Sequence, residues 1–275
     1  MERTLKPEFA IELKALLEAI NLKYDYDFRH YAENSMKRTI VHAMKRMGCA
    51  TLPVLQERVL ANSESFFDLL QSITIPVSEM FRDPTYFLAL RERVFPILKT
   101  YPSLKIWVAG CSTGEEVYSL AILLREEGLL ERSTIYATDI NQRRLEKAEK
   151  GVFALEEIQR STQNYQDSGG KRLLSDYYAV NFGSVAFTSD LKTNLTFTDH
   201  SLVTDAVFAE THLISCRNVL IYFDRELQDR AFGLFKESLC RKGFLGLGSK
   251  ETIQFSTYAK DFDTFMKKDR IFQKK

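Results

Sequence analysis

The 275-residue sequence has no apolar run long enough to cross a bilayer and no excess of charge. A membrane-spanning helix needs about 20 mostly apolar residues in succession, and Met1-Glu2-Arg3 does not begin the basic and then apolar layout of a secretory signal. We therefore expect a cytoplasmic protein without membrane insertion. The 38 Lys and Arg residues nearly balance the 37 Asp and Glu residues, which argues against nucleic acid as a partner.

Cysteine and histidine are scarce, and neither has the spacing of a metal site. Cys49, Cys111, Cys216 and Cys240 include no C-x-x-C pair, and the four histidines form no H-x-x-x-H pattern. The sequence thus predicts neither a bound metal nor a disulfide framework. Its composition, 45% hydrophobic and 27% charged, is that of a globular protein, and its length suits two domains.

Phosphate-binding patterns are missing from the most informative stretch, residues 106–116. An apolar run is followed there by a turn with Gly114 and by two glutamates that open a helix, and Asp139 follows a second apolar run. The stretch contains neither G-x-G-x-x-G nor a Gly-rich loop ending in Lys and Ser or Thr, and Glu115 and Glu116 would repel a pyrophosphate. A cationic ligand without phosphate, such as S-adenosylmethionine, fits better. The alternative is an ordinary Rossmann-like turn with solvent-facing glutamates.

Apolar residues recur at helical spacing up to about residue 75. Four helices are predicted there, with Gly48 closing the second and Asn62 or Ser63 capping the fourth. The second helix is predicted to have a basic face, which either binds a partner or is simply solvated. The face comprises Arg29, Lys37, Arg38, Lys45 and Arg46, against the acidic residue Glu33.

From residue 105 onward, strands alternate with helices. The alternation predicts a mainly parallel sheet covered by helices, and the last residues predict a terminal antiparallel hairpin. Asp83-Pro84 begins a connecting helix that runs towards Lys99. The predicted elements are strands 105–110, 134–138, 212–216 and 243–248, helices 114–127, 141–149 and 224–240, short antiparallel strands 177–180, 185–188 and 195–197 of an insertion, and hairpin strands 262–266 and 270–272.

Five segments carry a family resemblance. The most specific is Cys216–Phe223, which reads Cys-Arg-Asn-Val-Leu-Ile-Tyr-Phe, and the others are Phe81–Pro84, Ser112–Ser119, Ala137–Ile140 and Gly248–Glu251. With these segments, the sequence resembles the chemotaxis-receptor protein-glutamate methyltransferases, the CheR family, over nearly its whole length.

The resemblance implies an α/β fold of the class I S-adenosylmethionine-dependent methyltransferases, with a Rossmann-like, mainly parallel sheet and a terminal antiparallel hairpin. A small all-α domain for receptor recognition precedes it, and it carries a small antiparallel β insertion. We expect the helical domain at residues 1–75, a linker and connecting helix at 76–100, and the catalytic domain at 101–275, with the insertion at about 164–198. The implied reaction converts glutamates of a methyl-accepting chemoreceptor helical bundle to methyl esters, and the enzyme is expected to be a monomer.

The resemblance also assigns roles to individual residues. Arg82 and Tyr222 are expected near the reacting methyl group. The basic residues Lys37, Arg38, Lys45 and Arg46 are expected to recognise the receptor because their charge would complement its acidic methylation sites. Other interpretations stay open: Asp139 could cap the following helix, Arg217 could be a buried ion-pair partner, and Tyr222 could be a core aromatic. The implied cofactor contacts are Ser78, Arg82, Glu116, Asp139, Ser201, Leu202, Arg217 and Asn218.

Three positions depart from the family pattern. Residues 75–78 read Ile-Pro-Val-Ser where Thr-Asn-x-Thr is common, Ser201 replaces an Asn, and His212 replaces an Asp. These departures keep a second hypothesis open, a non-catalytic adaptor that binds S-adenosylmethionine. A methyltransferase for another substrate is the third, because a fold does not fix its substrate.

Overall fold

The computed structural model describes residues 7–74 and 78–275. Within these ranges, no helix combines the length and the apolar character needed to cross a membrane. The chain divides into two compact units, which we call the helical unit and the sheet unit. The helical unit comprises residues 1–76 and 222–228, and the sheet unit comprises residues 77–221 and 229–275.

Four helices form most of the helical unit. Their apolar faces pack together, with Leu16, Ile40 and Phe66 fully buried. The Asn62 side chain accepts a hydrogen bond from the backbone N–H of Glu64 at 2.8 Å, so it caps the fourth helix as predicted. The helices are α1 (Pro7–Tyr24), α2 (Glu33–Arg46), α3 (Leu52–Ala61) and α4 (Ser63–Ile73).

Arg29 does not lie on α2, so the prediction that placed it on the basic helical face is wrong. Asp25 has a left-handed backbone (φ 62°) just after α1, and no helix resumes before Glu33. Arg29 lies in the intervening segment and pairs with Asp27 at 2.8 Å and Glu18 at 3.1 Å. The positive charge of Arg29 is therefore paired with carboxylates of the helical unit.

The segment Tyr222–Gln228 belongs to the helical unit although it follows sheet strands in the sequence. The backbone N–H of Ala32 donates to the carbonyl of Tyr222 at 2.8 Å. Tyr31 and Phe223 form an antiparallel bridge, and their rings lie 5.1 Å apart. The residue expected near the reacting methyl group is thus held through its backbone by the all-α part of the chain.

The connecting helix begins at Pro84 as predicted, but it is not a uniform α-helix. Asp83 occupies the N-cap position in a left-handed conformation (φ 56°) and makes no side-chain cap hydrogen bond. Its carboxylate pairs with Arg217 instead. The run consists of α5 (Pro84–Ala89), a π-helical turn (Leu90–Val94) and α6 (Phe95–Leu98).

In its described residues, the sheet unit contains ten strands and six further α-helices. The strands are β1 (Leu104–Ala109), β2 (Ser133–Asp139), β3 (Val152–Ala154), β4 (Tyr178–Asn181), β5 (Ser184–Phe187), β6 (Leu195–Asp199), β7 (Thr211–Cys216), β8 (Leu239–Leu247), β9 (Phe262–Met266) and β10 (Ile271–Lys274). The helices are α7 (Glu115–Glu126), α8 (Gln142–Lys150), α9 (Leu155–Arg160), α10 (Thr162–Asp167), α11 (Ser189–Lys192) and α12 (Arg225–Ser238), whose first turn belongs to the helical unit.

Seven strands form the main sheet in the order β6-β2-β1-β7-β8-β10-β9. The first five run parallel, and β10 pairs antiparallel with both β8 and β9. Because helices cover a parallel sheet, its central strand is buried on both faces. Ile106, Trp107 and Val108 of β1 accordingly lie in the core. The mainly parallel sheet with a terminal hairpin is confirmed.

The predicted membership of the small antiparallel sheet is wrong in one strand. Residues 195–197 belong to β6, which pairs in parallel with β2 at the edge of the main sheet. The small sheet instead has the order β3-β5-β4. A short strand has the same period-2 pattern whichever sheet it joins, so the sequence does not identify its partner.

Candidate functional site

Several predicted site residues of the sheet unit lie at the carboxyl ends of neighbouring strands. β2 ends at Asp139. Arg217 and Asn218 directly follow β7, and the turn after β1 leads to Glu116 in the first turn of α7. Ligands of open α/β sheets bind at this edge, because the loops after the strands converge there.

The turn between β1 and α7 needs a left-handed backbone at three residues, Gly110 (φ 73°), Ser112 (φ 50°) and Gly114 (φ 96°). A Cβ atom on Gly110 would lie 2.4 Å from Cγ2 of Val219, so no other residue fits this close approach. The turn therefore packs its backbone against the loop that follows β7.

Asp139 joins this turn to the end of β2. Its Oδ2 accepts a hydrogen bond from the N–H of Ser112 at 2.8 Å, and its Oδ1 accepts one from the N–H of Asn141 at 2.9 Å. Burial raises the pKa of Asp139, although these hydrogen bonds and Arg144 oppose the rise. A carboxylate offers about four lone-pair positions, so acceptor capacity remains for the hydroxyl groups of a ligand.

Arg217 is buried between two carboxylates. Its Nη1 lies 3.0 Å from Oε2 of Glu116, and its Nη2 lies 2.8 Å from Oδ2 of Asp83 and 2.8 Å from the carbonyl oxygen of Arg82. Burial alone would lower the pKa of Arg217, but the carboxylates of Glu116 and Asp83 raise it. Arg217 is thus an ion-pair partner, and one net negative charge remains on these three side chains.

Tyr86 and Ser215 complete this ion-pair cluster. The guanidinium carbon of Arg217 lies 4.2 Å from the centre of the Tyr86 ring, a cation–π contact. The Tyr86 hydroxyl lies 2.8 Å from Oγ of Ser215, which donates to Oε1 of Glu116 at 2.6 Å. Sequence reasoning missed both residues, and it gave Asp83 no contact with Arg217, because nothing local shows that these positions converge.

Ser201 and Leu202 form the turn that follows β6. Ser201 Oγ accepts hydrogen bonds from the N–H groups of Val203 at 3.2 Å and Thr204 at 3.3 Å, and the Ser201 N–H donates to Asp205 at 2.9 Å. Leu202 is buried. The Ser201 hydroxyl therefore stabilises its own turn, a role that the Asn common in relatives can also fill.

Of the other departures from the family pattern, His212 lies away from this edge. His212 is the second residue of β7, and its Nδ1 accepts the N–H of Lys105 at 3.0 Å, so it lies towards the opposite end of the strand. Ser78 is half-buried in the connecting segment, whereas Ile75, Pro76 and Val77 lie outside the described residues.

The predicted receptor-binding residues all lie on α2 of the helical unit. Arg38, Lys45 and Arg46 are exposed, but Lys37 pairs with Glu33 at 2.6 Å. Arg38 and Arg46 line a cleft of about 450 Å³. In the described part of the chain, no group of three His, Cys, Asp or Glu side chains is arranged to hold a metal ion.

Family comparisons cover both parts of the chain. The model described as "CheR methyltransferase, SAM binding domain" matches residues 76–269, and "CheR methyltransferase, all-alpha domain" matches residues 11–74. The chain belongs to the CheR family. Its fold is therefore that of a class I methyltransferase that uses S-adenosylmethionine, preceded by an all-α part.

Similar proteins match most of the sequence. "Putative methyltransferase Cher3" of Pseudomonas putida is 57% identical over 264 residues, which are 96% of this chain and 97% of that protein. "Chemotaxis protein methyltransferase" of Listeria monocytogenes is 31% identical and covers 82% of this chain and 84% of its own length. A 104.1 kDa protein of Rhodobacter capsulatus is 30% identical over 97% of this chain, which spans 28% of that longer protein.

Proposed function

We propose that this CheR-family protein transfers the methyl group of S-adenosylmethionine to glutamate side chains of chemoreceptors. The products are glutamyl methyl esters and S-adenosylhomocysteine. The observation that carries the proposal is the buried Arg217, paired with Glu116 and Asp83, at the carboxyl edge of a sheet whose sequence matches the CheR cofactor-binding domain. Relatives named chemotaxis protein methyltransferases support the receptor as substrate.

The acidic groups at this edge suit S-adenosylmethionine. The net negative charge of the Arg217 cluster favours an ammonium or sulfonium group, and Asp139 can accept from ribose hydroxyls. When bound, the cofactor supplies a methyl carbon activated by the sulfonium. The residues that we assign to cofactor binding are Ser78, Arg82, Glu116, Asp139, Ser201, Leu202, Arg217 and Asn218.

The reaction needs positioning more than acid–base chemistry. A glutamate side chain has a pKa near ~4.3 and is already ionised at neutral pH, so no general base has to remove a proton. The protein must align the carboxylate oxygen with the methyl carbon and exclude water, an effect worth about 7 kcal/mol at its lower end.

We assign Arg82 and Tyr222 to this positioning. Arg82 organises the cofactor and the connecting segment through its planar guanidinium. The Tyr222 hydroxyl orients the substrate oxygen through a neutral hydrogen bond, which weakens a nucleophile less than a full positive charge does.

Receptor recognition is assigned to the exposed cations of α2. Arg38, Lys45 and Arg46 complement the acidic methylation region of a receptor helical bundle, and such complementarity mainly steers the encounter. Lys37 contributes less, because Glu33 already pairs with it.

The decisive experiment incubates the protein with methyl-labelled S-adenosylmethionine and receptor-containing membranes from the same organism. Label on the receptor that is released as methanol by mild base identifies a glutamyl ester. Label that withstands base indicates N-methylation or ring methylation and another substrate. Binding of S-adenosylhomocysteine in a calorimeter, together with no methyl incorporation into any receptor, indicates the non-catalytic adaptor.

A further inference from the structure

Glu251 is a buried carboxylate that binds backbone N–H groups from two separate segments. Its Oε2 accepts from Gly248 at 2.6 Å and from Asn218 at 3.0 Å, and its Oε1 accepts from Ile221 at 3.3 Å. The N–H of Leu220 adds a further hydrogen bond. The side chain therefore ties the end of β8 to the loop after β7.

The loop that Glu251 binds has a conformation that needs support. Asn218 has a left-handed backbone (φ 61°), a conformation that residues other than glycine seldom adopt, although Asn adopts it more readily than most. Glu251 accepts the N–H of Asn218 itself and those of Leu220 and Ile221. Asn218 is an assigned cofactor contact, so the segment that Glu251 supports begins at the proposed cofactor site.

Gly248 makes room for this arrangement. A Cβ atom at Gly248 would lie 2.7 Å from Oε2 of Glu251 and 2.8 Å from the backbone nitrogen of Asn218. A side chain at this position would therefore separate the carboxylate from the loop. The glycine and the glutamate act together, because one opens the space that the other fills.

The chemistry of the contact explains why an acid is needed at position 251. Burying a carboxylate is costly, and burial raises the pKa of Glu251 while the backbone N–H groups oppose the rise. Hydrogen bonds to a charged acceptor are stronger than neutral ones. A glutamine would turn one acceptor into an N–H₂ group facing N–H donors, so part of the loop would lose its partner.

We propose that Glu251 is a positioning residue for methyl transfer: its carboxylate holds residues 218–221 in the conformation that presents Asn218 to the cofactor. The proposal rests on the proposed function, since the role of Asn218 comes from there. Glu251 itself touches neither cofactor nor substrate in this role.

The test compares Glu251→Gln with Glu126→Gln. Glu126 is also buried and accepts hydrogen bonds from Tyr165 and Tyr177, but it ends α7, ten residues or about 15 Å along the helix from Glu116. We expect Glu251→Gln to raise the Kd of S-adenosylhomocysteine and to lower kcat, each about tenfold, because small displacements at a reacting centre are costly. The KM for the receptor should stay unchanged, and Glu126→Gln should alter the melting temperature without these effects.

A double-mutant cycle distinguishes an effect of Glu251 that acts through Asn218 from a general loss of structural stability. If Glu251 acts through Asn218, Glu251→Gln combined with Asn218→Ala weakens S-adenosylhomocysteine binding no more than the worse single variant. Additive losses, or the same loss in Glu126→Gln, overturn the proposal. Gly248→Ala provides an independent route and should reproduce the rise in Kd, and native-like binding in that variant also overturns it. The binding measurements remain informative if the wild-type protein methylates no receptor, a result that contradicts only the proposed function.

Discussion

Arg217 and Glu116 form an ion pair that joins the end of β7 to the first turn of α7. Nη1 of Arg217 lies 3.0 Å from Oε2 of Glu116, and the side chains are 1% and 16% exposed. Glu116 is therefore not a solvent-facing glutamate. Arg217 already neutralises part of the charge of Glu116. The net negative charge that would attract a cationic ligand therefore comes from Glu116, Asp83 and Arg217 together.

Removing Arg217 should destabilise the sheet unit. Arg217→Ala leaves Glu116 and Asp83 without their shared cation, and breaking a buried pair in this way costs about 3 kcal/mol of unfolding free energy. Urea titration followed by the fluorescence of Trp107, the single tryptophan in the sequence, measures this loss. Arg160→Ala is the control, because Arg160 pairs with Glu156 on the surface, and it should cost at most about 0.5 kcal/mol. Equal losses in the two variants would contradict the ion-pair interpretation.

The free energy of unfolding of the sheet unit should also depend on pH, because of the carboxyl group of Glu127. Burial would raise the pKa of this carboxyl, but hydrogen bonds from Lys171, Lys99 and Arg91 hold it at about 2. A carboxyl with a lowered pKa stabilises the fold fully above its unfolded pKa, and this contribution is lost as the pH falls from about 4.5 towards 2. Glu127→Gln should cost about 1–2 kcal/mol at pH 7, since Lys99 and Lys171 are half-exposed and solvent weakens their contribution.

The same fluorescence-detected urea titration, repeated at several pH values, tests this dependence. The difference between wild type and Glu127→Gln should be constant from pH 7 to about pH 5 and should shrink below about pH 4.5. Glu156→Gln, at an exposed position, should show a small difference at every pH. A Glu127→Gln difference that does not change with pH would contradict the assignment.

Local patterns predicted most of the elements, because helical and strand periodicity depends on neighbours in sequence. The cap at Asn62, the helix that Glu115 and Glu116 open and the terminal hairpin are confirmed. The partner of β6 and the position of Arg29 were wrong. Both depend on which distant strand or acidic residue comes into contact, and this information is absent from a single stretch of sequence.

In the candidate site, too, individual residues could be predicted from the sequence but their contacts could not. The resemblance selected Glu116 and Arg217 individually, whereas their direct contact became visible only in the structure. Tyr86 and Ser215 had no sequence signal, since a buried aromatic residue and a strand serine are ordinary core residues. Glu251 lay in a matching segment, but its role depends on backbone groups about 30 residues earlier in the chain.

Charge reversal on α2 should weaken receptor recognition without affecting cofactor binding. Arg38 and Lys45 are the best positions, because Arg46 also donates to the carbonyl of Asp68 and its loss would disturb α4. Arg38→Glu combined with Lys45→Glu should raise the KM for receptor membranes about tenfold at low salt and reduce the salt dependence of the rate. The Kd of S-adenosylhomocysteine should not change. Arg160→Glu, an exposed reversal on α9, is the control, and a methylation rate that matches wild type at low salt would exclude this face as the recognition surface.

Tyr222→Phe should separate cofactor binding from turnover. The side chain is half-buried, and its backbone carbonyl accepts the N–H of Ala32, a contact that phenylalanine preserves. Loss of the hydroxyl should lower kcat about tenfold or more, because the substrate oxygen is no longer oriented, while the Kd of S-adenosylhomocysteine stays within about twofold of wild type. Single-turnover assays with labelled cofactor and calorimetry measure the two quantities, and Tyr178→Phe on β4 serves as the matched control. A parallel loss of binding and turnover would assign Tyr222 to the packing of its unit, since an orienting hydroxyl acts only once the substrate is present.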